Sequence, residues 1–340
     1  NIIALFMIVQ FAGLLVTIYA FSSLQFYAVP VQPASSLPTA FGYIVYIIGT
    51  ALVILLLIKV LHGDILFVLL EAIIVLFATS FLLFIILGTA FASVNYIYIA
   101  AISIIATLAL IVAKNFRPKL RNLIAITSSI GVGVLIGLNG FYIAYLLTLF
   151  IAVYDYIAVF VTKHMITLAR AVSERNLAFL IGSSDVEAMP KSYVTKKDRA
   201  EFAQNVDIKK IKDPVINYLI KTGGLPVISQ VQLGTGDLAI PLMLTVSAYI
   251  SFLSYSLPMM IILGSTFGMI FTMYLLKKYK VALPAIPPIF AFINLFLGIA
   301  FLATKPSNYS MWLDFFAVFV VTILILFSKL NQMAGTKAKD

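Results

Sequence analysis

Residues 231–252 read Val231-Gln232-Leu233-Gly234-Thr235-Gly236-Asp237-Leu238-Ala239-Ile240-Pro241-Leu242-Met243-Leu244 and stay apolar to Phe252. A helix needs about 20 mainly apolar residues to cross a bilayer, and this run has that length while carrying an aspartate. A carboxylate in hydrocarbon is costly unless it faces the protein interior, pairs, or takes up a proton. The stretch reads as a membrane span in which Asp237 has work to do.

The rest of the chain repeats the apolar pattern. Of 340 residues, 62% are apolar and 11% charged, against about 45–50% and about 25% in soluble chains. Mean hydropathy is +1.10. Ten candidate spans follow: 1–21, 40–61, 65–88, 95–113, 122–140, 142–164, 231–252, 256–277, 283–303 and 310–328. The first is read as a span and not a removed signal peptide, since it has neither a basic n-region nor an obvious cleavage site. The fifth and sixth are divided only by Asn139-Gly140, and the tenth contains Asp314. The expected fold class is an all-α polytopic membrane protein.

The net charge of +10 need not mean nucleic acid, because membrane proteins gather Lys and Arg on the cytoplasmic side. Lys59 closes span two; Lys114, Arg117, Lys119 and Arg121 follow span four; Lys163 follows span six; Lys277, Lys278 and Lys280 follow span eight; Lys329, Lys337 and Lys339 lie in the tail. The exits of odd-numbered spans hold only Lys305. Both termini and the long 165–230 connection are expected in the cytoplasm. That connection has ordinary polar composition. Its apolar stretches Asn176–Ile181 and Pro214–Ile220 are too short to span and could form surface helices; the segment is either a linker or a lid. The chain thus divides into an N-terminal bundle (1–164), the loop (165–230), spans seven to nine (231–303), and an extra span with a basic tail (304–340).

Among the acidic residues, Glu71, Asp155 and Asp237 lie well inside apolar spans. Asp155 is about eight residues before Lys163, roughly 12 Å deep at 1.5 Å per residue, and Asp237 roughly 9 Å deep from a start near 231. Their spans run antiparallel, joined by the cytoplasmic loop, so the two carboxylates are expected at similar depth on one side. Two close carboxylates cannot both ionise cheaply and share a proton. The ionised one can take a proton from water while the protonated one donates to a carbonyl oxygen, which is aspartic peptidase chemistry. Gly234 and Gly236 lack Cβ, so the backbone beside Asp237 can unwind and let another chain approach.

Tyr154-Asp155 in a sixth span and Gly234-Thr235-Gly236-Asp237 in a seventh resemble the YD and GxGD motifs of the presenilin and signal peptide peptidase family of intramembrane aspartyl proteases. Pro284-Ala285-Ile286 is similar to that family's Pro-Ala-Leu motif near the ninth span. Order, span numbers and the long loop agree over about 300 residues. The contexts Val153-Tyr154-Asp155 and Leu283-Pro284-Ala285 are presenilin-like, Asp237-Leu238-Ala239-Ile240-Pro241 is similar to signal peptide peptidase, and the mixture resembles archaeal members. Ile286 departs from the family's Leu, and the tenth span has no counterpart in the nine-span core. The resemblance implies a protease cutting transmembrane helices within the bilayer, with Asp155 and Asp237 catalytic. It also implies that Gly234, Thr235, Gly236, Pro284, Ala285 and Ile286 flank the cleft and hold unwound substrate. Tyr154 either shapes the site or packs as an ordinary aromatic. No cofactor or metal is needed, no nucleic acid is expected, and obligate partner subunits are not implied.

Other readings stand beside this one. Paired intramembrane carboxylates also carry protons or sodium in transporters and channels, which would call for interrupted helices in both halves; only one interruption is visible. A catalytically silent assembly protein is a third reading. Glu71 is read mainly as an interhelical carboxyl, and Asn95, Asn139 and Asn294 as interhelical hydrogen-bonders. Gly133–Gly137 and Gly264–Gly268 have the spacing of close helix packing. With two His, His62 and His164, no Cys and no HExxH, an intramembrane zinc protease is excluded.

Overall fold

In a bilayer a spanning segment must satisfy its backbone polar groups internally, and the apolar runs fold as helices. The computed structural model describes residues 2–26, 42, 45, 64–116, 119–162, 180–189, 225–279, 283–304, 307 and 309–337. The helices are α1 (Ile2–Phe26), α2 (Asp64–Ala90), α3 (Tyr96–Phe116), α4 (Lys119–Gly137), α5 (Phe141–Tyr156), α6 (Thr235–Phe252), α7 (Ser256–Tyr279), α8 (Ile286–Thr304) and α9 (Tyr309–Lys337). A π-turn, Ile157–Val161, continues α5. Among the described residues, nine helices are long and apolar enough to cross a membrane. They correspond to the expected spans one and three to ten. Expected span two lies outside the described residues, Gly42 and Val45 apart, as do His62 and His164. A tenth span is therefore not shown.

The break between α4 and α5 falls at Asn139-Gly140, where Gly140 has φ 92°. That value lies in a region glycine enters at little cost and other residues avoid, so one residue turns two apolar runs into separate helices.

The chain divides into two compact units, one of Asn1–Leu180 with Gly234–Asp340 and one of Ile181–Leu233. The smaller unit contains most of two strands, β1 (Leu180–Met189) and β2 (Leu225–Gly234), paired in a two-stranded sheet. This corrects two expectations. Leu180 and Ile181 begin a strand, not a surface helix; Pro214–Ile220 lies outside the described residues. The span expected from residue 231 starts at Thr235, because Val231 and Leu233 alternate with Gln230 and Gln232, a period of two that suits a strand.

In the larger unit α6 is the central helix, packed against α1, α4, α5, α7 and α8. Its stretch from Pro241 to Ala248 is buried throughout. Glycines bring the neighbours close: a Cβ on Gly13 would lie 2.4 Å from a Leu242 methyl, and one on Gly137 would lie 2.9 Å from the Met243 carbonyl oxygen. On α7, a Cβ on Gly268 would meet the Ile289 Cα of α8 at 2.5 Å. Both GxxxG pairs thus serve helix packing. The C-terminal α9 lies along α8, where Phe301 and Phe315 stack at 5.4 Å. Its Leu326 and Leu330 join Val159, Phe160 and Leu275 in one buried cluster.

Of the three asparagines, only Asn294 bonds between helices, accepting from the Tyr145 hydroxyl at 2.6 Å. Asn139 donates to the Ile136 carbonyl within its own turn, and Asn95 accepts the Ile97 N–H at the start of α3. Both stand at helix ends, where local backbone groups are free to compete for a short amide.

Candidate active site

Two helices set the site. The Phe141 N–H, at the start of α5, donates to the Ser251 hydroxyl near the end of α6 at 2.9 Å, so the two helices run antiparallel. Asp155 lies fourteen residues after Phe141, and Asp237 fourteen before Ser251. At 1.5 Å per residue both sit about 21 Å from that contact. The shared offset brings the carboxylates to one level.

Asp155 stands at the penultimate residue of α5, just before the π-turn; such turns widen a helix and recur at functional sites. Its Oδ2 accepts the Ile286 backbone N–H at 3.1 Å, one of the amides at the start of α8. These are groups that the first turn of α8 cannot satisfy within the helix. Pro284-Ala285-Ile286 therefore reaches the site through its backbone, and Ile286, buried with Ala152 and Phe290, anchors it. The Ile-for-Leu difference leaves that N–H contact in place.

Asp237 is the third residue of α6, shallower than the sequence estimate because the helix starts later. A Cβ on Gly234 would stand 3.2 Å from Asp237 Oδ2, whereas one on Gly236 would meet nothing within 4 Å. Gly234 caps the helix at φ −67° and ψ 143°, a conformation open to any residue. The two glycines differ in place: Gly234 is extended, outside the helix, and makes room for the carboxylate, while Gly236 lies within the helix's first turn with open space beside it.

The Thr235 carbonyl lies 3.2 Å from the Ser129 hydroxyl of α4, which also donates to the Ala125 carbonyl at 2.7 Å. Tyr154 is 42% exposed on α5. Glu71 is not part of this arrangement; it is buried on α2 and paired with Lys114 of α3, an interhelical role. Among the described residues no group of three or more His, Asp or Glu could hold a metal ion.

Residues that the sequence reading passes over also stand here. Gln10, fully buried in α1, donates its amide to the Leu238 carbonyl at 3.0 Å. Its signal was visible: it is the only amide side chain between Ile2 and Phe21, and a lone amide in an apolar span needs a partner. The Tyr145–Asn294 bond ties α5 to α8 beside the Ile286 cluster.

A bundle of membrane-spanning helices with two carboxylates at matched height, one gripped by a backbone amide, is the framework of an intramembrane aspartyl protease. Residues 3–305 match the family model for signal-peptide peptidase, presenilin aspartyl protease. The chain belongs to that family and is an aspartyl protease. Two solved structures share the fold, both of a presenilin family intramembrane aspartate protease. The one in space group C222 has TM-score 0.55 and 18% identity, over 88% of this chain and 97% of that one. The one in P2 has TM-score 0.52 and 20% identity, over 85% and 94%. No curated protein gives a significant match. Nothing found supports the transporter alternative.

Proposed function

We propose that the chain hydrolyses peptide bonds inside transmembrane helices, with Asp155 and Asp237 as a single catalytic dyad. The observation that carries this reading is the antiparallel register of α5 and α6, under which two otherwise costly carboxylates share one level. The pair holds one proton between them. The ionised carboxylate draws a proton from water as the water oxygen bonds to the scissile carbonyl carbon. The protonated carboxyl donates to the carbonyl oxygen. The tetrahedral intermediate then collapses, the C–N bond breaks, and the amine leaves with a proton returned from the dyad. The Ile286 amide fixes the orientation of Asp155, so the acid and base need little rearrangement at the moment of reaction. A substrate helix must unwind to present a peptide bond, since its carbonyls are otherwise engaged in the i to i−4 ladder.

The test is cleavage of a transmembrane peptide in detergent or vesicles, with products identified by mass spectrometry. Asp155→Asn and Asp237→Asn each abolish cleavage, and the double variant is no worse, because residues acting as one unit are not additive. The folded state survives, an amide being cheaper to bury than a carboxylate. Substantial turnover by either purified single variant refutes the dyad.

A further inference from the structure

A fully buried glutamine in a membrane span is expensive to keep. Gln10 spends its Nε2 on the Leu238 carbonyl, while its Oε1 meets no donor among the described residues. An apolar side chain of the same length would avoid that desolvated acceptor. The contact it makes falls one residue past Asp237.

That turn of α6 needs outside support. Pro241 has no N–H, so the Asp237 carbonyl has no partner in the helical ladder four residues on. The ladder is open at the residue that carries the carboxylate. Next to the gap a neighbouring helix supplies a side-chain bond, Gln10 of α1 to the Leu238 carbonyl, whereas the Ser129 hydroxyl of α4, 3.2 Å from the Thr235 carbonyl, gives its one proton to the Ala125 carbonyl of its own helix at 2.7 Å. Gly13, one turn on from Gln10, lets α1 sit directly against Leu242, and Gly133 does the same for α4, where a Cβ would lie 3.0 Å from the Ala239 carbonyl oxygen. The Gln10 bond therefore comes from a helix packed directly on α6.

We infer that Gln10 is a positioning residue for the hydrolysis: through the Leu238 carbonyl it sets the height of Asp237 against Asp155. The inference rests on the dyad reading above. It separates stability from turnover, which a residue that merely holds the bundle together does not do. Gln10→Met keeps side-chain length, removes the unpartnered Oε1 and removes the donor. The melting temperature stays level or rises, because an apolar isostere replaces a partly satisfied polar group. Turnover falls about ten- to a hundred-fold with KM within about twofold, since a sub-ångström to 1 Å displacement of a reacting group costs rate on that scale.

The experiment compares the full-length wild type and Gln10→Met on a transmembrane peptide, with thermal unfolding measured alongside. A second arm introduces Asp155→Cys with Asp237→Cys into this cysteine-free chain and follows oxidative cross-linking with and without Gln10→Met. A several-fold slower cross-link in the Gln10→Met background supports positioning even if the peptide is not a substrate, which keeps this inference distinct from the proposed activity. Unchanged kcat in an active enzyme, an unchanged cross-linking rate, or a kcat loss that follows a fall in melting temperature each overturns it.

Discussion

At the scale of single residues, the two glycines before Asp237 look equivalent in the sequence and are not equivalent in space. Gly234 is read there as backbone freedom, yet its φ is ordinary; what it supplies is an empty position 3.2 Å from the carboxylate oxygen it would otherwise crowd. That distance is tight for a Cβ, and the atom it would press belongs to the proposed dyad. Gly236 has open space at the same position and already lies in a helical turn, where alanine is favoured by about 1 kcal/mol. Gly234→Ala is expected to lower kcat at least about tenfold, by displacing Asp237. Gly236→Ala is expected to leave the melting temperature level or higher and to act, if at all, through KM. Steady-state kinetics of the two purified variants check this, and the reverse ranking would contradict the geometry. The aspartates were legible because a carboxylate in hydrocarbon always needs a reason. The crowding at Gly234 and the clamp from Gln10 were not, since both depend on which helix faces which.

At the scale of elements, the apolar runs were legible because length and hydropathy decide a span almost alone. Its starting point was less so: residues 231–234 are apolar enough to extend the seventh span, and only their period of two gives them to β2. The first turn of α8 shows how packing reaches the chemistry. Its Ile286 amide holds Asp155, and its position is set by α7, whose Gly268 leaves 2.5 Å for a Cβ before the Ile289 Cα. The obstruction is backbone, so no rotamer relieves it. Gly268→Ala is expected to push α8 away, at a cost of about 1–3 kcal/mol typical of overpacking. Turnover is expected to fall in the same variant, as the Ile286 amide withdraws from Asp155. Thermal unfolding in detergent and peptide cleavage measure the two effects. Retained stability with retained activity would mean that the helices part without moving the Pro284–Ile286 segment.

At the scale of the whole molecule, the alternation of basic and neutral connections makes a statement about orientation that the fold alone does not make. Lys114 closes α3, Lys163 and ten further basic residues follow α5, and Lys277 and Lys278 close α7, while the exits of α2, α4 and α6 carry no Lys or Arg. Short basic connections stay on the cytoplasmic side during insertion, so we propose that the ends of α5 and α7 and the start of α6 lie there, with residues 165–230 and both termini. The proposed dyad, near the end of α5 and the start of α6, then opens toward the cytoplasmic half of the bilayer. The chain has no native Cys, so single probes are clean. Ser192→Cys, in the long connection, is expected to react with a membrane-impermeant maleimide only from the cytoplasmic face of oriented vesicles. Ser307→Cys, between α8 and α9, is expected to react only from the opposite face. The pair also tests the span count, because the two positions are separated by α6, α7 and α8: three crossings put them on opposite sides, and two or four would put them on the same side. Labelling of both from one face would mean that one of these helices does not cross, and the depth assigned to Asp237 would have to be drawn again from a different membrane frame.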